Sequence, residues 1–94
     1  MIYAFVRFTV ENIGIWKPVF VEAASLRKTF GSMNARAFNK ADSKNEITVL
    51  LQFESREKAM QMFQSTEFRE VTKRGGMVAP PEVMFMDEVA NLDS

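Results

Sequence analysis

The sequence predicts an α+β domain with the element order β-α-β-β-α-β, and three observations carry that expectation. Residues 2–10, 46–54 and 82–89 alternate with the two-residue period of strands and are rich in β-branched, aromatic and Met side chains. Between them, Trp16 to Phe30 and Ala59 to Val71 repeat apolar residues at three- and four-residue intervals, the period of a helix. A polar cluster, Ala41-Asp42-Ser43-Lys44-Asn45, separates residues 46–54 from another extended stretch and reads as a hairpin turn. With 94 residues and no repeat, linker or low-complexity segment, the chain reads as a single domain over 1–94.

Met1 to Val10 is the first strand, with Ile2, Ala4, Val6, Phe8 and Val10 on one side and Tyr3, Phe5 and Arg7 on the other. Glu11-Asn12-Ile13-Gly14 ends it. Pro18 suits the first turn of a helix, which then runs to about Phe30 along the stripe Trp16, Val19, Phe20, Ala23, Leu26 and Phe30. Arg27 and Lys28 complement the dipole of its last turn, and Gly31 is a natural stop.

Asn34 to Lys40 is the second strand and Glu46 to Glu54 the third, with Ile47, Val49, Leu51 and Phe53 on one face of the latter. Ser55 is an N-cap for the second helical segment, and its apolar stripe shifts near Ser65-Thr66, where a bend or break is expected. Gly75-Gly76 end it, Met77 to Pro81 form a loop, and Glu82 to Val89 make the fourth strand.

Two right-handed crossovers joined by a hairpin give a ferredoxin-like fold: a four-stranded antiparallel sheet in the order 4-1-3-2, with the helices on one face. The helices cover the face that carries Ala4, Val6, Val49 and Leu51. The other face carries Phe5, Phe38, Leu50, Met84 and Met86, too much apolar surface to leave in water. A second copy of the chain, packed face to face about a two-fold axis, is the expected cover. Arg7 and Arg36 are expected to pair there with Glu54 or Glu88.

Composition narrows the chemistry. Lys plus Arg and Asp plus Glu each total 12, so no basic excess favours nucleic acid. Tyr3 and Phe5 resemble the aromatic pair of an RNA-recognition module, but the third strand has no glycine and no aromatic on the matching face, so no nucleic acid is expected. There is no Cys and no His, which removes thiol nucleophiles, Cys/His metal sites and an imidazole base. No metal or cofactor is expected, and a cytoplasmic location fits the lack of Cys. No apolar stretch approaches bilayer-spanning length, no signal peptide is read at the N-terminus, and no membrane association is expected.

The run Trp16-Lys17-x-x-Phe20, the Arg27…Gly31 helix end, Val49-Leu50-Leu51-Gln52-Phe53-Glu54-Ser55-x-Glu57-x-Ala59-x-x-Phe63 and the late Pro81-x-Val83-x-Phe85 strand together resemble the dimeric α+β barrel superfamily. That superfamily includes the antibiotic-biosynthesis monooxygenases and cyclase-like and stress-responsive families. The resemblance implies two sheets packed as an eight-stranded barrel, a small ligand held between sheet and helices of each subunit, and cofactor-free monooxygenase- or cyclase-like chemistry. The lack of His argues against the His-dependent and haem-degrading activities found there.

Five residues are candidate ligand contacts, each with a plainer alternative. Trp16 is a cleft wall or a core anchor, and Phe20 lies beside it on the same stripe. Arg7 is an anion contact or half of an ion pair at the dimer seam. Tyr3 is a polar aromatic contact on the open face. Asn39, which the resemblance makes a substrate-orienting amide, otherwise solvates the strand edge beside the hairpin. No residue is singled out as catalytic. The two readings are a homodimer that binds a small, mostly apolar molecule and a non-catalytic dimeric interaction or regulatory module. A helix–sheet cavity of roughly 300 Å3 with convergent polar groups separates the first from the second.

Overall fold

The computed structural model describes all 94 residues. Its elements are β1 (Ile2–Thr9), α1 (Ile13–Glu22), α2 (Ala24–Thr29), β2 (Ser32–Asn39), β3 (Glu46–Phe53), α3 (Arg56–Phe63), α4 (Thr66–Arg74) and β4 (Glu82–Met86). The strands form one antiparallel sheet in the order β2-β3-β1-β4, the expected ferredoxin-like arrangement. The two most apolar strands, β1 and β3, lie at its centre.

Registers fix what each face carries. On one face, Ala35, Leu51, Ala4 and Phe85 form a row across all four strands, and Ala37, Val49, Val6 and Val83 form the next. The helices pack here: Trp16 of α1 and Ala59 and Met62 of α3 join Val6, Val49, Leu51 and Phe53 in one core. The three alanines keep the sheet surface low enough for that approach. Burying Val6, Val49 and Leu51 contributes about 1.5–3 kcal/mol each. The opposite face carries the rows Asn34–Gln52–Tyr3–Met86, Arg36–Leu50–Phe5–Met84 and Phe38–Thr48–Arg7–Glu82. No helix covers it.

Four boundaries differ from the sequence reading. The first helix starts at Ile13, because Asn12 caps it by accepting from Gly14 N–H at 2.8 Å. Pro18 therefore lies inside α1 instead of in its first turn. The helical stretch to Thr29 is two helices joined at Ala23. β2 begins earlier, at Ser32, through a bulge between Ser32 and Asn34. β4 stops at Met86, where its pairing with β1 reaches Tyr3 near the end of that strand.

The break near Ser65 is as expected. Ser65 Oγ accepts from Phe68 N–H and donates to the Met62 carbonyl, closing α3 and opening α4 with one side chain. Ser55 caps α3 by accepting from Lys58 N–H. Gly31, at φ +82°, ends α2 in the left-handed region that glycine adopts without strain.

Candidate functional site

Two aromatic clusters stand on the helix-facing side of the sheet. In the first, Trp16 stacks on Phe20 with ring centroids 4.9 Å apart and tilts against Phe8 at 5.6 Å. Trp16 lies so close to the C-terminus of α4 that a Cβ on Gly75 would sit 3.0 Å from its Cδ1. In the second, Phe63 lies edge-on to Phe53 and Phe68 and tilted to Phe85. A cavity of about 60 Å3 remains between the clusters, floored by Val6, Val49 and Leu51 and roofed by Ala23, Leu26 and Met62.

One polar side chain lines that cavity, Arg27. At the Ala23 junction the Phe20 carbonyl receives no backbone N–H from Ala24. Arg27 Nη1 donates to it instead at 2.7 Å, and the guanidinium carbon lies 4.3 Å from the Phe20 ring centroid. None of the chain's ion pairs includes Arg27. Burial lowers its pKa from the ordinary value, yet an arginine stays charged at neutral pH. The result is a half-buried cation at an apolar cavity with no carboxylate to neutralise it. Such a group can receive an anionic or carbonyl oxygen. The cavity lining holds no carboxylate, Tyr or Lys that could serve as a base.

The five candidate ligand contacts do not converge. Trp16 and Phe20 line the helix–sheet cavity. Tyr3 and Arg7 point to the opposite face, because odd positions of β1 alternate away from the helices. There the Tyr3 hydroxyl donates to Glu88 Oε2 at 3.3 Å. Arg7 pairs with Glu82, its neighbour across β1 and β4, at 3.9 Å and well exposed, instead of with Glu54 or Glu88. Glu54 is held by Lys58 one helical turn on, at 2.7 Å. Arg36 lies over the Phe38 ring and not beside a carboxylate. Asn39 sits at the sheet edge, where its amide donates to the Ser43 carbonyl and fastens the hairpin turn.

Phe5, Phe38, Leu50, Met84 and Met86 all lie on the open face. Phe38 keeps 46% and Met84 59% of its surface exposed. Two hollows of about 330 and 550 Å3 lie on this face, the larger one bordered by Tyr3, Arg36, Leu50 and Glu88. No group of three or more acidic side chains is placed to hold a metal ion, and no helix is long and apolar enough to cross a membrane.

Solved structures place this architecture. A protein from Bordetella bronchiseptica assigned as an antibiotic-biosynthesis monooxygenase superposes with a TM-score of 0.83, over 95% of this chain and 97% of that one, at 18% identity. The chain shares the ferredoxin-like fold of that protein. SnoaB, a cofactor-independent oxygenase from Streptomyces nogalater, matches at TM-score 0.80 over 99% and 97% of the two chains with 14% identity. The ActVA-Orf6 monooxygenase of Streptomyces coelicolor, solved with nanaomycin D, matches at 0.69 over 99% and 92% with 23% identity. No family model matches the chain, and no curated protein does. At these identities the likeness is one of fold, and it agrees with the ferredoxin-like α+β fold expected from the sequence.

Arg27 is the residue that sequence reading passed over. Its place in the last turn suggested a partner for the helix dipole. A signal for the cavity was present all the same: Arg27 stands seven residues after Phe20 and four after Ala23, on the apolar stripe itself.

Proposed function

We propose that the protein is a cytoplasmic homodimer that binds a small, mostly apolar aromatic molecule between its helices and sheet, with monooxygenase-like chemistry that needs no cofactor. The observation that carries this is the Arg27 guanidinium, unpaired with any carboxylate, at the edge of a cavity otherwise lined by apolar side chains. Its fold-mates supply the class of reaction: one is a cofactor-independent oxygenase and another is a monooxygenase solved with nanaomycin D.

The chemistry suits the residues. A phenolic or enolisable substrate supplies its own electrons to dioxygen. One oxygen enters the substrate as a carbonyl, and the other leaves as water with two substrate hydrogens, both from carbon in an enolisable methylene, or one from carbon and one from the hydroxyl in a phenol. Arg27 stabilises the anion that begins this sequence. With no side-chain base in the cavity, the proton leaves to water, so the substrate itself must be acidic. The open sheet face is the surface for the second subunit, since Phe5, Leu50 and Met84 form one continuous row with Arg36.

A thermal-shift screen of hydroxylated naphthalenes and anthracenes tests the binding. Ligands that bind only the native state raise the midpoint by mass action, and Trp16→Ala abolishes the rise. No shift with any compound removes this reading.

A second reading has its own support. At about 60 Å3, with Arg27 as its one polar side chain, the cavity does not reach the roughly 300 Å3 with convergent polar groups expected of a binding cleft, and this favours the second reading. The Trp16–Phe20 stack and the Phe63 cluster pack the space on either side of it, as they would in a dimeric interaction or regulatory module with a filled core.

A further inference from the structure

The small cavity has a larger neighbour. An outer groove of about 410 Å3 runs between α4 and the Met77–Pro81 loop. Phe63 and Phe68 border both spaces, so the wall between them is made of two phenyl rings 5.3 Å apart. Phe68 is half-buried in the first turn of α4, and a ring in that position turns on the timescale of side-chain rotamers.

Charge distinguishes this pair of spaces from the rest of the surface. The chain is neutral, yet the only charged residues bordering the two compartments are Arg27 at the inner end and Arg69 and Lys73 at the outer one. None of the three belongs to an ion pair. The neighbouring groove between the α1–α2 junction and α4 carries a mixed set with an acidic excess, Glu22, Glu67 and Glu70 against Arg74, which pairs with Glu22.

We propose that cavity and groove are two halves of one cleft, divided by a Phe63–Phe68 partition that opens to admit a planar aromatic anion such as an aromatic hydroxy acid. This rests on the binding reading above and adds an entrance and a ligand charge to it. Arg69 and Lys73 draw the anion to the mouth, the rings of Trp16 and Phe20 stack on it, and Arg27 receives an oxygen at the inner end.

The test uses 1-hydroxy-2-naphthoate and its neutral amide, followed by quenching of Trp16, the only tryptophan. The acid is expected to bind at least about fivefold more tightly than the amide, the scale of partly exposed charge contacts. Arg69→Gln with Lys73→Gln reduces that preference, leaving the part that Arg27 supplies, and leaves the amide unchanged. Both side chains are exposed, so the fold is not at risk. Phe68→Ala, checked by circular dichroism for folding, speeds association of both compounds in stopped flow. Equal binding of acid and amide, or a preference undiminished by the double substitution, overturns the charged entrance alone. An unchanged association rate in folded Phe68→Ala overturns the partition. Absence of quenching by either compound overturns the binding reading and this cleft with it.

Discussion

The Arg27 guanidinium does two things to Phe20 at once: it donates to its carbonyl oxygen at 2.7 Å and covers its ring at 4.3 Å. One side chain thus closes the gap between α1 and α2 and sets the angle of the ring on which Trp16 stacks. Arg27→Met removes a charge-assisted hydrogen bond, and an expected loss of about 1–2 kcal/mol follows in urea denaturation. Arg27→Lys restores less than half of it, because an ammonium supplies neither the planar fork nor the stacking plane. An unchanged midpoint in both variants would show that the contact adds nothing to stability.

Gly75 is needed for the space it leaves. Its backbone is in an ordinary helical conformation, but a Cβ would meet Trp16 Cδ1 at 3.0 Å and the Val71 carbonyl at 3.3 Å. Gly75→Ala is expected to cost about 1 kcal/mol through overpacking and to shift the Trp16 emission maximum. Stabilisation with an unaltered spectrum would contradict this.

Tyr3 titrates late. Desolvation, then the Glu88 carboxylate beside it, raise its pKa above the ordinary phenol value. The folded state thus favours the neutral phenol. That contribution to stability is fully present below about pH 10 and is lost as pH rises through the folded value. Tyr3 is the only tyrosine, so absorbance at 295 nm reports it alone. Glu88→Gln is expected to lower the midpoint partway, since desolvation persists. A wild-type midpoint at or below the ordinary value would refute the assignment.

Met84 tests the subunit interface. In a lone chain it is 59% exposed, so Met84→Glu changes stability by no more than about 0.5 kcal/mol. Inside a two-fold interface the same change buries two like charges and separates the subunits. Sedimentation at tens of micromolar is expected to give a dimer for the wild type and a folded monomer for the variant. A wild-type monomer would leave the open face without its proposed partner.

Much of this was legible from spacing. The strict alternation of β3 separates Ile47, Val49, Leu51 and Phe53 from Thr48, Leu50 and Gln52, and the structure keeps that separation. Strand order followed from topology, Ser55 marked a helix start through known capping chemistry, and the shift of the apolar stripe marked the break near Ser65, whose capping role only the structure shows. What stayed hidden was set by tertiary contacts. Pro18 concealed the start of α1, because the Asn12 cap lies a turn and a half earlier than the proline suggests. Arg7 found Glu82 through the register of β1 with β4, and a sequence does not print registers. Tyr3 and Arg7 were grouped with Trp16 by chemical type, although their parity in β1 already put them across the sheet from it. Arg27 was missed because a cation near a helix end has a sufficient local explanation.

The most direct measurement of where a ligand binds is methyl-resolved nuclear magnetic resonance of the protein titrated with 1-hydroxy-2-naphthoate. Binding between helices and sheet shifts the methyl signals of Leu26, Val49, Leu51 and Met62, and leaves those of Leu50 and Met84 in place. Shifts gathered at Leu50, Met84 and Met86, with the four cleft residues still, would put the ligand on the open face and contradict the helix–sheet cleft.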